Sequence, residues 1–595
     1  MKQKTHTGKE VDRGSFIKTI RRIWRYLSEY KVFLTWVLLM VVMSSALGLL
    51  GPFMIGRTID TYLATATTDG LALVLVGLAA VYFFHSISLW LQNYWMIGIA
   101  QETVFTMRTQ LFTKLHKLPI QFFDKRQSGE LMSRITNDIE NVSTTLNSSV
   151  IQVFSSLLTL VGTLVVMLWL SPLLTLVTMT IVPIMFLGMK WITTRTGRLY
   201  KEQQKNLGEL NGFIEESISG QKIIKSFSQE PKVIAEFLEK SERVKKAGYW
   251  AQVYAGFIPK LMNMLNNLSF TFVAAAGGIF ALNGVVSIGT IVIFTEYARQ
   301  FTRPLNDLSN QFNTLLSAVA GAERVFDIID DREEAENEID AIDITDLKGK
   351  VEFRDVNFAY DRGEDIVQNI SFQATPGEKV ALVGPTGAGK STIINLITRF
   401  YEPNSGVILF DNQDSQIITR ASLRKQMAFV LQDSFLFQGT IRENIRYGRL
   451  DASDQEVEEA AIAANAYSFI KRMPQGFDTE LKQDGSGVSQ GQKQLLSIAR
   501  AILANPSILI LDEATSSIDT ITELKIQEAL ELLMEGRTSF IIAHRLNTIQ
   551  QADQILVVED GGIIEKGPHH ELMKRKGFYY DLYQNQIKTK VAKAL

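Results

Sequence analysis

A membrane-embedded domain of six α-helical spans with long cytoplasmic helical extensions, followed by a soluble α/β domain built around a phosphate-cradling loop, is the architecture this sequence predicts. Three observations predict it. The apolar residues are gathered rather than spread, because mean hydropathy is +0.07 although 21% of residues are charged. The long apolar runs come in pairs. The segment "KVALVGPTGAGKST" (Lys379–Thr392) sets a buried strand, a Gly-rich turn and a helix start end to end. At 595 residues the chain is too long for one core. A formal charge of -2 and a pI near 6.4 leave no basic excess for nucleic acid, so no such partner is expected. The absence of Cys excludes disulfides, thiolate metal sites and Cys nucleophiles.

The segment ahead of Val32 carries nine cations, Lys2, Lys4, Lys9, Arg13, Lys18, Arg21, Arg22, Arg25 and Lys31, against Glu10, Asp12 and Glu29. It is too long and polar for a cleaved signal, and the positive-inside rule places it in the cytoplasm. Spans follow near residues 32–53 and 71–95, each long enough for a hydrocarbon core that needs roughly 20 helical residues. The next two, near 150–170 and 173–191, are separated by Ser171 and Pro172, which reads as a tight hairpin at one membrane face. The last pair lies near 257–282 and 286–301. Six crossings return the C-terminus to the cytoplasm. The links at 97–149 and 193–256 are long, charged and helix-rich, and fall on the cytoplasmic side; residues 1–325 form the membrane domain. Inside the spans stand His85, a cluster of Asn263, Asn266 and Asn267, and Glu296. A charge at mid-bilayer costs about 2.5 to 3.5 kcal/mol on insertion scales, so Glu296 is expected to face protein or a water-lined interior, where it either binds a cationic substrate or pairs with Arg299.

An acidic stretch, Asp330–Asp343, marks a linker at 326–348, and the soluble domain occupies 349–595. Gly384, Pro385, Thr386, Gly387, Ala388, Gly389, Lys390, Ser391 and Thr392 satisfy G-x-x-x-x-G-K-[ST] in the required strand-loop-helix context. The loop's backbone N–H groups turn inward around phosphates, the helix N-terminus adds partial positive charge, Lys390 reaches the β- and γ-phosphates, and Ser391 can ligate Mg²⁺. The strand in "SILILDEATSSID" (Ser507–Asp519) ends in two carboxylates, which assigns Asp512 to the metal and Glu513 to the attacking water. A further strand, "SFIIAHRL", ends at His544, placed to contact the γ-phosphate. ATP and Mg²⁺ are the ligands this set implies.

With these motifs in this order and at this spacing, the chain resembles an ABC transporter half of the exporter type over nearly its whole length. The resemblance implies that Tyr360 in "FAY" stacks on adenine and that Gln432 in "FVLQDSFLF" contacts Mg²⁺ and the membrane domain. It implies a signature at Val488–Gln492 and a D-loop at Ser516–Asp519. Segments Phe122–Asp138 and Glu215–Glu230 are similar to the cytoplasmic loops whose short coupling helices touch the nucleotide-binding domains. In this family ATP lies between the phosphate loop of one subunit and the signature helix of the other. Here the signature reads "VSQGQ": Ser489, Gly491 and Gln492 agree with the usual LSGGQ, whereas Gln490 replaces a glycine. Upstream, "LKQDG" puts Gln483 where a Glu is usual. Both departures serve the partner's nucleotide, and the groups serving this chain's own show none. The pattern resembles heterodimeric bacterial exporters with one complete and one degenerate site; a tolerated substitution in a homodimer is the alternative.

The resemblance thus implies an ATP hydrolase coupled to export of hydrophobic or amphipathic small molecules of the multidrug type by alternating access. It places the chain in the bacterial plasma membrane, in contact with lipids and a second half-transporter. A lipid or lipopeptide flippase and an ATP-gated channel or membrane regulator are the alternatives.

Overall fold

Apolar runs this long fold as helices because a bilayer core offers backbone groups no other partner. The computed structural model describes residues 13–334, 341–360, 365–431, 434–482, 487–512, 518–543 and 546–585, with Gly363 and Gly485. They divide into two units, Met1–His116 with Ser128–Asp331, and Lys117–Gln127 with Arg332–Leu595.

The first unit begins with α1 (Arg13–Ser28), an amphipathic helix that buries Thr19 and Leu27 and exposes Lys18, Arg21 and Arg25. There follow α2 (Lys31–Thr58), α3 (Leu71–Leu115), α4 (Ile139–Leu170), α5 (Pro172–Met179), α6 (Ile181–Ser219), α7 (Glu230–Leu282) and α8 (Ile288–Ile329). With 45 residues in α3 and 53 in α7, these helices run about 68 and 80 Å at 1.5 Å per residue, far beyond a hydrocarbon core of about 30 Å. Their polar continuations are the extensions expected from the long links. Among the described residues five helical segments, Lys31–Leu63, Leu71–Leu115, Ser128–Leu170, Pro172–Ser219 and Glu230–Leu282, are long and apolar enough to cross a membrane. The expected sixth span begins α8, whose first half carries Glu296, Arg299 and Arg303 and which is not among those five. Between α4 and α5, Ser171 accepts from Leu174 N at 3.4 Å and Pro172 opens the next helix, so the hairpin is a capped turn.

Three contacts set α8 and its N-cap Ser287 against α2 and the helical turn Ile59–Leu63 that continues it. At the crossing of Gly56 and Gly289 a Cβ on Gly289 would lie 2.0 Å from the Gly56 carbonyl oxygen, so only glycine allows the approach. Asp60 accepts from Gly289 N at 2.7 Å and from Ser287 Oγ. The hydroxyl of fully buried Tyr297 donates to the Leu49 carbonyl at 2.7 Å.

In the second unit an antiparallel sheet is built from β1 (Val351–Phe358), β2 (Val367–Ala374), β4 (Ser405–Phe410) and β5 (Gln413–Asp414), in the order β2-β1-β4-β5. The larger sheet holds β3 (Lys379–Val383), β6 (Met427–Val430), β9 (Ile508–Asp512), β10 (Thr538–Ile542), β11 (Gln554–Glu559) and β12 (Gly562–Gly567), in the order β12-β11-β3-β10-β9-β6. Its strands are parallel except β12. The nearly continuous burial of β3, β9 and β10 is that of strands covered on both faces. A small pair, β7 (Gly439–Thr440) with β8 (Glu480–Leu481), accompanies the helices α10 (Ile441–Arg446), α11 (Asp454–Ala463) and α12 (Gln490–Ala504); α9 (Lys390–Ile397) follows β3 and α13 (Thr520–Met534) follows β9. Glu334, within the acidic stretch, is fastened: its N–H donates to the Lys117 carbonyl at 2.8 Å and its carboxylate accepts from Arg424 Nη2 at 2.6 Å.

Candidate functional site

Strand β3 lies between β11 and β10, with β9 next, so the C-terminal ends of β3, β10 and β9 stand side by side. In register, Ile542 faces both Leu382 and Asp512. The loop Gly384–Gly389 therefore leaves the sheet at the edge where β9 delivers Asp512, the usual place for a ligand in an open α/β sheet. Its backbone requires glycine: Gly384 has φ +155° and a Cβ there would sit 2.1 Å from the Val558 carbonyl oxygen. Pro385, Thr386 and Gly387 are exposed on the loop's outer side, whereas Ala388, Gly389 and Lys390 are buried at the start of α9.

Lys390 Nζ donates to the carbonyls of Gly384 at 2.8 Å and Pro385 at 2.7 Å. Burial pulls this ammonium below the usual lysine range, and the charge of Asp512 opposes the shift. An anion in the loop would relieve that penalty. Ser391 is exposed in the first turn of α9. Its hydroxyl and the Asp512 carboxylate are hard oxygen donors, a chemistry that fits Mg²⁺ shared with phosphate.

Tyr360 follows β1 and reaches the same helix. Its hydroxyl lies 3.1 Å from Thr392 Oγ1 and accepts from Asn395 Nδ2 at 3.2 Å. Its ring stands edge-on to Phe358 and to Tyr401, with centroids 5.0 and 4.9 Å away. Sequence reasoning missed Tyr401. The Tyr401 hydroxyl donates to Asp124 at 2.6 Å, and Gln121 Nε2 donates to the Tyr360 carbonyl at 3.2 Å. Both partners belong to the short helix Ile120–Asp124, which packs within this unit with Phe122 buried. The segment resembling a coupling helix is thus joined to the aromatic wall beside the phosphate loop. "FFD" in the long link was a signal for the helix, but none pointed to its partner.

The signature segment opens α12. Ser489 is its N-cap, accepting from Gln492 N at 3.3 Å, while Gln492 Oε1 accepts from Ser489 N at 2.9 Å, a reciprocal capping box. Gln490 is exposed, and Gly491 is buried where a Cβ would lie 2.5 Å from Thr522 Cγ2 and 3.1 Å from Ile518 Cγ2. The departure from the usual glycine thus falls on the exposed position, and the retained glycine on the packed one. Gln432, Gln483, Glu513, Ser516, Ser517 and His544 lie outside the described residues.

Comparison with known proteins agrees with this architecture. Residues 34–305 match the family described as ABC transporter transmembrane region, and residues 367–516 the family ABC transporter. The ABC transporter ATP-binding protein YfiC of Bacillus subtilis (strain 168) is 65% identical over 569 residues, 96% of this chain and 94% of that protein. The chain belongs to the ABC transporters. A second member, the fatty acid ABC transporter ATP-binding/permease protein of Mycobacterium bovis, is 44% identical over 89% of this chain and 82% of its own length. The solved structure of a bacterial Atm1-family ABC exporter with ATP bound superposes with a TM-score of 0.74 at 31% identity, covering 93% of this chain and 98% of that one. This ABC protein is an integral, multi-pass half-transporter of the exporter type, with an ATP-binding ATPase domain coupled to transport in the same chain.

Proposed function

We propose that the chain exports hydrophobic or amphipathic small molecules by alternating access, as one half of a dimer whose second half is a different subunit. The observation that carries the reading is the seat of the Ile120–Asp124 helix. Asp124 at the end of this helix accepts from the Tyr401 hydroxyl, and Tyr401 abuts the adenine-stacking candidate Tyr360, so nucleotide arrival and helix movement share one set of contacts. The fatty acid named for the Mycobacterium bovis relative is itself an amphipathic molecule, which supports the substrate class.

In this proposal the backbone of Gly384–Gly389 and Lys390 hold the phosphates, and Tyr360 stacks on the base. Ser391, Asp512 and Gln432 would hold Mg²⁺, which when bound offsets phosphate charge. Glu513 orients and deprotonates the attacking water, and His544 donates toward the γ-phosphate. Ser489 and Gly491 present the N-terminus of α12 to the partner's nucleotide.

Proteoliposomes test the reading. Wild type is expected to move an amphipathic dye uphill with ATP, Glu513→Gln to bind ATP but lose hydrolysis by orders of magnitude, and Lys390→Ala to lose nucleotide binding. Lipid translocation without dye movement would favour a flippase, and passive flux that ATP only gates would favour a channel; near wild-type turnover of Glu513→Gln would remove that carboxylate from the mechanism.

A further inference from the structure

Within the first unit, α2, α3, α4 and α8 enclose a cavity of about 570 Å³. Its wall is part apolar, with Ile55, Leu89 and Val292, and part polar: Glu296, Arg303 and Asp307 come from α8, Gln152 from α4, His85 from α3 and Ser45 from α2. Its depth follows from neighbouring contacts. Tyr297, adjacent to Glu296, bonds to Leu49, which stands nine residues from the end of α2 at Thr58, about 13 Å at 1.5 Å per residue. Gly48, on the same wall, would place a Cβ 3.3 Å from His85 Cε1. Glu296 is thus level with the interior of a spanning helix.

The charges on this wall are unevenly matched. Asp307 accepts from Gln152 Nε2 at 2.8 Å, and Arg303 stands one helical turn before it, so these two sum to no charge. Glu296 and Arg303 have no hydrogen bond or ion pair among the described residues. Arg299, one turn from Glu296, is not on the cavity wall and lies over the Phe270 ring at 5.8 Å, which removes the internal pairing as the explanation of Glu296. His85 Nδ1 lies 2.9 Å from the Ser44 carbonyl oxygen; a carbonyl only accepts, so the proton is on Nδ1 and a neutral ring keeps Nε2 as an acceptor. Ser45 Oγ, on the same wall, is buried without a hydrogen-bond partner among the described residues. The wall therefore holds two carboxylates against one guanidinium, a net negative charge inside a membrane, where such residues face a pathway or a ligand.

We infer that this cavity binds amphipathic cations, with Glu296 receiving the cationic group and the apolar body of the ligand lying along the helices. The inference rests on the export reading for why a ligand enters. It also separates this chain from a fatty acid carrier, because a carboxylate ligand would meet Glu296 as a like charge.

The test is binding of tetraphenylphosphonium to the full-length transporter in nanodiscs without ATP, read by equilibrium dialysis, beside neutral triphenylphosphine oxide and oleate. Glu296→Gln is expected to raise the cation's Kd at least tenfold, Glu296→Asp to keep it within about threefold of wild type, and the neutral probe to bind all three alike. Oleate is expected to bind Glu296→Gln more tightly than wild type. Arg303→Gln, which removes the cation on the wall, is expected to tighten tetraphenylphosphonium binding severalfold and keeps the test open should Glu296→Gln fail to fold. Cation binding unchanged in both variants, or oleate binding wild type more tightly than the cation does, overturns the inference. Uphill transport is measured separately: cation binding that follows Glu296 without ATP-driven accumulation sinks the export reading alone, whereas accumulation of neutral amphiphiles with cation binding indifferent to Glu296 sinks this inference alone.

Discussion

Gly491 and Gln490 are neighbours in one signature and do different work. Gly491 is buried with Thr522 Cγ2 2.5 Å from where a Cβ would be, so Gly491→Ala pushes α12 away from α13 and is expected to cost about 1 to 3 kcal/mol of stability. Gln490→Ala, on an exposed position, is expected to stay within about 0.5 kcal/mol of wild type. Thermal unfolding of the detergent-purified chain checks both, and equal shifts would show that the packing argument is wrong. A second contrast tests the base-stacking role of Tyr360. Its hydroxyl touches Thr392 and Asn395 while its ring borders the phosphate-loop helix. Tyr360→Ala is expected to raise the apparent Michaelis constant for ATP by an amount equivalent to about 1 to 3 kcal/mol, with Tyr360→Phe close to wild type because the ring remains. Identical constants for Ala and Phe would leave Tyr360 without a stacking role.

The Ile120–Asp124 helix shows why a single bond between elements is worth testing. Tyr401→Phe keeps the ring that packs edge-on to Tyr360 and deletes the hydroxyl that holds Asp124. Basal turnover and the Michaelis constant for ATP are expected to change less than about threefold, since a neutral-to-charged hydrogen bond contributes roughly 1.5 to 3 kcal/mol and acts here on the helix rather than the nucleotide. Stimulation of ATPase by transported substrate is expected to fall, and full stimulation in the variant would show that this bond carries no coupling. How far the sequence could be read follows the same division between local and distant partners. The phosphate loop was legible because strand, glycines and lysine are contiguous, and Asp512 because it ends an apolar strand. The neighbours of β3 were not, since β10 and β11 join it from more than 150 residues away. The amphipathic face of α1 was hidden behind its count of cations. Arg299 was a reasonable partner for Glu296 by helical spacing, and only the tertiary position of Phe270 shows that its guanidinium lies elsewhere.

At the scale of the whole transporter, the two loop segments that resemble coupling helices differ in their surroundings. Ile120–Asp124 belongs to the second unit of its own chain, whereas around the helix Gln221–Ser226 the apolar residues Ile218, Ile223 and Phe227 are 69%, 63% and 70% exposed. Apolar residues at the tip of a charged hairpin suit a surface that another subunit covers. Gln490 adds the identity of that subunit to the question. If the partner is a different half-transporter, the site built on Lys390 and Glu513 is completed by the partner's signature, and "VSQGQ" serves the partner's weaker site. Gln490→Gly is then expected to change basal ATPase by less than about twofold, because a better cradle cannot supply chemistry that the partner's site lacks. In a homodimer the same substitution acts at both sites, and turnover should change substantially. The measurement is ATPase of the chain purified alone and of the chain purified with a paralogous half-transporter, sought first among the products of neighbouring genes. A transport-competent dimer of this chain alone, with turnover strongly altered by Gln490→Gly, would defeat the heterodimer; low activity alone, restored by the paralogue and insensitive to Gln490→Gly, is the outcome the exposed signature residue leads us to expect.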